Sequence, residues 1–568
     1  MYIATIPNRG SPPAILLREG YRDGGKVKNR TLANLSHWPP AKVDLLRRVL
    51  RDEPLAPSTT LFEVLSSRHH GHVEAVRSAM HRLGFDALIA ARPSRERDLV
   101  VAMVAARILE PDSKLATTRW WHTTTLPTAL GVRDADEEAL YEAMDWLLAR
   151  QVRIEQKLAA RHLRAGGLVL YDLTSSYFEG TTCPLAAFGH NRDGKKGKLQ
   201  VNYGLLTDGR GCPVAVSVFQ GNTGDPPTLL PAVQQVRERF GVETLVIVGD
   251  RGMISQTQIT ALQTLEGVDW ITALKTGAIR DLMADGHLQL GLFDERNLFE
   301  LTHPDFPGER LVACRNPELA KLRTHKRQAL LEATVTELEK VRAMVARGTL
   351  KGRDAIGVRV GKVVNKYKVA KHFQLEIHDD RFAFQIDAAR VAAEAALDGI
   401  YVIRTSVPAA RLGAADAVRH YKQLSDVERA FRALKTIDLK VRPIRHRLEE
   451  RVRAHIFLCM LAYYVEWHMR EAWRPLLFGD ADQAAKRTRD PVAPAKRSTA
   501  ALRKVHTKVL DDGTPVHSFP TLLKELSSIV RNVCRPRSAG AEAPTFELTT
   551  TPTPTQHRAY ELLKMILA

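Results

Sequence analysis

The chain has 568 residues, enough for about two to five domains, and 44% hydrophobic residues, an ordinary globular share. Lysine and arginine outnumber aspartate and glutamate 83 to 64, a formal net charge of +19 that suits a polyanionic partner. Five scattered cysteines without a CxxC pair argue against a zinc ribbon or a disulfide framework, and neither a signal-like N-terminus nor a bilayer-length apolar run is present, so the expectation is a soluble cytoplasmic protein with no membrane partner.

Residues 1–55 read as a basic β region. Tyr2-Ile-Ala-Thr-Ile6 and Ala14 to Tyr21 are strand-like, Asp23-Gly24-Gly25 is a hairpin signal, and Lys26 to Ala33 carries alternating cations. Such a ribbon is suited to lie on a phosphate backbone. Residues 56–165 read as a helical DNA-binding region, with apolar residues at helical spacing over Val73–Leu83, Glu96–Leu109 and Asp136–Leu163. Ser113 and Thr117 are expected caps there. His69, His70 and His72 are expected to be a surface cluster, because no carboxylate or cysteine partner for a metal is evident.

From 166 to 280 the pattern changes to short strands. These are Leu168–Asp172, Gln200–Leu206, Pro213–Phe219, Leu245–Val248 and Trp270–Leu274, with helices over Pro227–Phe240 and Ser255–Leu265. This order predicts an α/β core with a five-stranded mixed sheet. Residues 281–412 depart from it. Asn297–Cys314 and Phe373–Ile386 read as antiparallel strands around a charged helix, Pro317–Ala346, followed by the basic stretch Lys351–Lys371 and a strand from Ile400. A β-rich insertion is the expectation. Residues 413–474 return to helices, and 475–568 read as a linker with two short helices, Phe519–Val530 and His557–Ile566. Thr549–Thr555 is expected to be disordered.

Three carboxylates carry the chemistry. Asp172 ends one predicted strand, and Asp250 follows another in Gly249-Asp-Arg-Gly252. In a mainly parallel sheet the carboxyl ends of central strands face one crevice, where two aspartates can share a metal. Oxygen ligands alone suit Mg2+ or Mn2+, not zinc. On the late helix, Leu424, Val427, Phe431 and Leu434 form the apolar stripe. Tyr421, Glu428 and Lys435 recur every seven residues on an adjoining stripe, so a phenol, a carboxylate and a cation face one groove. Arg429 and Arg432 add positive potential. Taken singly, Glu428 could instead pair with Arg432 on a solvated face, and Asp250 could close an Asx turn.

These blocks resemble the DDE transposases of bacterial insertion sequences, in the group with a Y-x2-R-x3-E-x6-K signature. Asp172-Leu-Thr174, Val248-Gly-Asp250-Arg-Gly252 and Tyr421-x6-Glu428-x6-Lys435 carry the resemblance, over roughly residues 165–470. It implies a ribonuclease-H-like core and a catalytic triad of Asp172, Asp250 and Glu428 holding two Mg2+ ions, or Mn2+. It further implies action on double-stranded DNA, terminal inverted repeats and target alike, by a nucleoid-associated bacterial homodimer. Tyr421, Lys435, Arg432, Arg429 and Arg251 are expected to meet DNA, as are Lys195, Lys196 and Lys198 in the loop after the first core strand. Asp225, in Gln220-Gly-Asn-Thr-Gly-Asp225, is an expected accessory carboxylate. Leu424 stands where the signature has arginine, so Arg419 or Lys422 is the expected substitute. No P-loop is present, which leaves nucleotide hydrolysis without machinery. Two rival classes stay open: a structure-selective nuclease built on the same core, and a non-catalytic DNA-binding relic.

Overall fold

The computed structural model describes every residue except 54–60, 294–296, 481, 483–488, 494–495, 538–543 and 567–568. The chain forms two units, Met1–Arg68 with Val530–Thr550, and His69–Ile529 with Thr551–Ala568.

In the first unit, β1 (Tyr2–Asn8), β2 (Ser11–Asp23) and β3 (Lys26–Asn34) form an antiparallel meander. Gly24 and Gly25 both have positive φ, at 58° and 81°, the tight two-residue turn that the Asp-Gly-Gly run predicts. The cations of β3 are exposed, but Lys28 pairs with Asp23 at 2.6 Å and Arg30 with Glu19 at 2.7 Å. Pairs this exposed contribute little and part readily for a phosphate. Two elements differ from the sequence expectation. Pro40–Leu50 is a helix, its Pro40 at the first turn where the missing N–H costs nothing. Phe62–His69 is a strand, β4, at the start of the region read as helical. It lies in one sheet with β15 (Val530–Pro536) and β16 (Phe546–Thr549), so part of the C-terminal region belongs to the N-terminal unit. Thr549–Thr555, read as disordered, is ordered: Thr549 pairs with Arg531, and Thr553 caps the helix Pro554–Leu563 in a capping box with Gln556.

The second unit is built on one mixed sheet of eight strands. They are β5 (Gly167–Tyr177), β6 (Gln200–Asp208), β7 (Pro213–Gln220), β8 (Leu245–Val248), β9 (Val268–Ala273), β10 (Leu298–Leu301), β11 (Arg310–Arg315) and β14 (Ile400–Thr405). Their order across the sheet is β10-β11-β14-β9-β8-β5-β6-β7. The first five match the sequence reading closely. β5, β8 and β9 run parallel, β6 pairs antiparallel with β5, and β7 pairs antiparallel with β6. β8 is buried throughout, which is why it reads as an unbroken Leu-Val-Ile-Val run.

The expected five-stranded sheet is therefore too small. β11 pairs antiparallel with β14, and β14 with β9, so strands assigned from sequence to a separate insertion extend the core. What lies between β11 and β14 is mainly helical: Pro317–Ala346, Arg353–Tyr367 and Ala388–Ala395, with only a two-stranded hairpin, β12 (Phe373–Ile377) and β13 (Phe382–Ile386). These pack around their own apolar cluster, including Leu338, Val341, Ile356 and Phe373. Strand pairing to a distant partner leaves no mark in the pairing strand's own sequence, so the error is one of assignment rather than of element type.

The helical region holds Gly71–Arg82, Arg95–Leu109, Glu137–Leu148 and Gln151–His162. Ser113 caps Lys114–Trp120 by accepting from Ala116 N–H, whereas Thr117 lies inside that helix. The long apolar run Ile456–Val465 sits in Glu449–Ala472, a helix buried from Val452 to Met469 apart from brief interruptions. No helix among the described residues is long and apolar enough to cross a membrane.

Candidate active site

Asp172 and Asp250 come together through strand register. β5 and β8 are parallel neighbours with Leu170 opposite Val248; two residues further along each chain bring Asp172 beside Asp250. β5 does not end at Asp172, as the sequence suggested. It continues to Tyr177 along β6, while β8 stops at Val248. Asp172 therefore lies on a rigid, doubly flanked strand at the point where one flank falls away.

The backbone presets both carboxylates. Asp172 Oδ1 accepts from Leu173 N–H at 2.8 Å. Asp250 Oδ1 accepts from Gly252 N–H at 3.0 Å and Met253 N–H at 2.7 Å, so the Asx turn is real and serves to aim the group. The Oδ2 atom of each makes no hydrogen bond among the described residues. Burial, then the neighbouring Asp250 and Asp225, pushes the Asp172 carboxyl up to about 7. A buried carboxylate raised by its neighbours in this way is relieved by a cation. This donor set fits a hard divalent ion.

The third carboxylate arrives on a helix. Cross-strand partners share a face, so Asp172 and Thr174 lie on the same side as Tyr203, which pairs with Thr174. The helix Leu424–Arg432 packs on that side of β5, with Phe431 edge-on to Tyr203 at 6.0 Å. Burial of Val427, Phe431 and Leu434 holds it there, at roughly 1.5–3 kcal/mol each. Leu424 packs half-buried against the core, as the apolar stripe predicts. Glu428 is exposed and makes no ion pair or hydrogen bond among the described residues; the alternative pairing with Arg432 does not form. Tyr421 links the groups: burial and then the charges of Asp250, Glu428 and Asp172, with Arg251 opposing, push its phenol up to about 12.

The seven-residue stripe is not continuous. The chain breaks at Gln423 between Ala414–Lys422 and Leu424–Arg432, and Ala433–Ile437 is a π-turn. Each break changes the angular step, so Lys435 leaves the stripe of Glu428. It is buried and bonds Asp193 Oδ1 at 3.0 Å. Arg442 also pairs with Asp193, and Tyr177 N–H donates to Asp193 Oδ2 at 2.9 Å. Lys435 is thus an internal tether for the loop around Asp193 rather than a free phosphate ligand. That loop's Lys195, Lys196 and Lys198 are exposed. Its Arg192 pairs with Asp225, which places Asp225 at the edge of the site as the sequence suggested.

Other expected cations divide. Arg429 pairs with Asp426 at 2.9 Å, Arg432 is exposed and unpaired among the described residues, and Arg251 is exposed beside Asp250. Arg419 and Lys422, the expected substitutes for the signature arginine, bond the carbonyls of Arg489 and Pro491. The histidine cluster is a surface feature only in part, with His69 exposed and His70 half-buried. His72 is buried, His69 Nδ1 contacts Ser527 O at 2.9 Å and His70 Nδ1 contacts Thr125 Oγ1 at 2.9 Å.

A cavity of about 990 Å³ opens from Arg251 and Tyr421 toward the inserted helices. Eight lysines and arginines line it, against Glu394 and Asp398. Those two acids are consumed by Lys371 and Arg327. Arg251, Arg280, Arg323, Lys326, Lys366 and Lys368 remain without an ion pair among the described residues. Arg280, Arg323, Lys326 and Lys368 had no place in the sequence-derived site. For Arg323, Lys326 and Lys368 the signal was the charged helix Pro317–Ala346 and the basic stretch 351–371, while Arg280 sits on the short helix Thr276–Ala284; which face lines the cavity is a tertiary fact.

Comparison with known proteins bears on this site. A family described as a transposase DDE domain matches residues 166–465, and an IS1634 family transposase N-terminal domain matches residues 3–56. No curated protein matches the chain. Among solved structures, a piggyBac transposase synaptic complex with hairpin DNA is similar at 9% identity and a TM-score of 0.33, over 88% of this chain and 84% of that one. A Mos1 transposase paired-end complex is similar at 11% identity and a TM-score of 0.15, over 34% and 66%. Likenesses this remote carry no residue-level argument.

Proposed function

The chain belongs to the DDE transposase family, and from that premise we propose that Asp172, Asp250 and Glu428 are its catalytic carboxylates. It is a DNA transposase of the bacterial insertion-sequence type, an enzyme of DNA cleavage and strand transfer, and its family uses divalent metal ions. The observation that carries the assignment is the β5–β8 register, which sets Asp172 beside Asp250 under the helix bearing Glu428. The strand order β7-β6-β5-β8-β9 supports a ribonuclease-H-like reading of the core.

The three carboxylates would hold two Mg2+ ions, with Mn2+ able to replace them. Bound there, the ions supply Lewis-acid stabilisation of the phosphorane-like charge and activation of the attacking hydroxyl. The protein's own part is geometric. Leu173 N–H and the 252–253 amides fix one oxygen of each aspartate, leaving the other for the ion. Strand transfer exchanges one phosphodiester for another, which agrees with the absence of a P-loop. The unpaired cations of the 990 Å³ cavity suit the DNA backbone beyond the reacting phosphate, positioning it without reading sequence. Arg251 lines the same cavity, and the exposed Arg432, Lys195, Lys196 and Lys198 would add further backbone contacts. The N-terminal unit and helical region would recognise terminal inverted repeats, and a homodimer would bring two ends together.

The test is a pair of assays on duplex ends bearing the element's inverted repeats, with Mg2+ or Mn2+. Asp172→Asn, Asp250→Asn and Glu428→Gln should each abolish cleavage and the joining of a pre-cut end while retaining DNA binding. Full cleavage by any one variant removes that residue from the triad. Cleavage without joining by the wild type favours the nuclease reading; inactivity of the wild type with intact binding favours the relic.

A further inference from the structure

Apart from the proposed catalytic carboxylates, one set of metal-ligating side chains converges. His162 ends the helix Gln151–His162, Cys212 sits in the turn between β6 and β7, and His468 lies on Glu449–Ala472. One donor atom from each lies within 4.8 Å of the other two, and this is the only such cluster among the described residues. We propose that His162, Cys212 and His468 form a structural site for a thiophilic divalent ion of the zinc type, independent of the catalytic carboxylates.

The geometry is close to what such an ion needs. Zn–S near 2.3 Å and Zn–N near 2.0–2.1 Å put S and N about 3.5 Å apart across a tetrahedral edge. Cys212 Sγ and His468 Nε2 are 3.8 Å apart, and the two imidazole centroids are 5.7 Å apart. One thiolate and two imidazoles select zinc-like ions over Mg2+ or Mn2+, which prefer oxygen. Tyr464 OH, 3.1 Å from His162 Nε2, or a water supplies the fourth position. The site is also built. Asp208 Oδ1 accepts from Cys212 N–H at 3.0 Å and fixes the turn; Trp467 and Tyr464 pack the His468 ring at 4.9 and 4.8 Å. By contrast, the contact of Cys459 with His455 at 4.0 Å has no third ligand, and its imidazole Nε2 is taken by Val441 O.

Charge balance permits binding. Cys212 enters as a thiol, so the step is loss of its proton to solvent as the S–metal bond forms, leaving a site of net +1. Arg210 Nη2 lies 3.4 Å from His162 Nδ1, and its side chain, 64% exposed, pairs with Asp208 at 2.9 Å and rests on the Trp467 ring; Arg161 and Arg164 are the other nearby cations, and Asp208 and Glu471 oppose them. The ion would tie together three elements that meet only in the folded state: the helix before β5, the β6–β7 turn and the buried late helix.

The full-length protein, stripped with a chelator and held in excess Mg2+, is titrated with Co2+. The expected result is a sulfur-to-cobalt charge-transfer band with intense tetrahedral visible bands, saturating at one equivalent and bleached by one equivalent of Zn2+. Cys212→Ser should lose the charge-transfer band. Should that variant fold poorly, wild-type thiol reactivity decides: Zn2+ should slow alkylation of Cys212 at least tenfold while Cys183, Cys314, Cys459 and Cys534 serve as controls. Weak octahedral cobalt spectra alone, or Cys212 alkylation unchanged by Zn2+, overturns the proposal whatever the catalytic assays show.

Discussion

Replacing Asp172 with asparagine separates a catalytic carboxylate from an ordinary buried one. In the metal-free protein the carboxyl is raised from the usual 3.8 to about 7 by burial and by Asp250 and Asp225. Between those values the folded protein keeps a proton that the unfolded chain has released, so this group's contribution to stability falls as pH rises and the full penalty stands above about pH 7. A rise of that size is worth about 4 kcal/mol at most; with the residue still partly exposed, about 2–4 kcal/mol is the working range. The asparagine side chain cannot ionise and keeps the shape. Metal-free Asp172→Asn should therefore melt a few degrees above wild type near pH 8, on the order expected for that free energy, and the gap should narrow toward pH 5. Mg2+ or Mn2+ should raise the wild-type melting temperature most at high pH and leave the variant unmoved. The assay is calorimetry with and without metal across that range, beside DNA cleavage. A variant less stable than wild type at pH 8, or one stabilised equally by metal, would refute the reasoning.

Glu428→Gln, at an exposed position without partners, should leave the melting temperature within about 0.5 kcal/mol of wild type while removing cleavage, and a large loss of stability would instead mark it as structural. Arg323→Gln and Lys326→Gln should each lower the slope of log K against log salt for duplex binding by about 0.9, and a slope unchanged by both would take DNA out of the cavity. Lys435→Met leaves Asp193 with Arg442 and the Tyr177 amide; it should cost about 1–3 kcal/mol and expose the 190–198 loop to proteolysis with the salt slope intact, whereas a lower slope at full stability would restore a phosphate role. In Gly221→Ala the new Cβ would stand 2.0 Å from Gln200 O and 2.6 Å from Ala187 O, so the loop to Asp225 must shift; destabilisation of about 2 kcal/mol or more with reduced cleavage is expected in melting and activity assays.

Local sequence determined a good deal here. The Leu245–Val248 run fixes a buried strand, Asp23-Gly24-Gly25 fixes a hairpin, and the helix Pro317–Ala346 is read to the residue, because each is specified by neighbours within a few positions. The three proposed carboxylates were picked out by local patterns, but β5 runs past Asp172 to Tyr177 and the stripe of Glu428 is interrupted, so how they meet was not legible. Tertiary structure alone decided the rest. β10, β11 and β14 join the core sheet, and β15 and β16 join the N-terminal unit, because pairing partners lie far away in the chain. A π-turn that no periodicity announces rotates Lys435 onto Asp193, and a cavity gathers Arg280, Arg323, Lys326 and Lys368 from separate elements. Backbone preference and amphipathic rhythm act over one or two turns; which charges share a space depends on how distant elements pack.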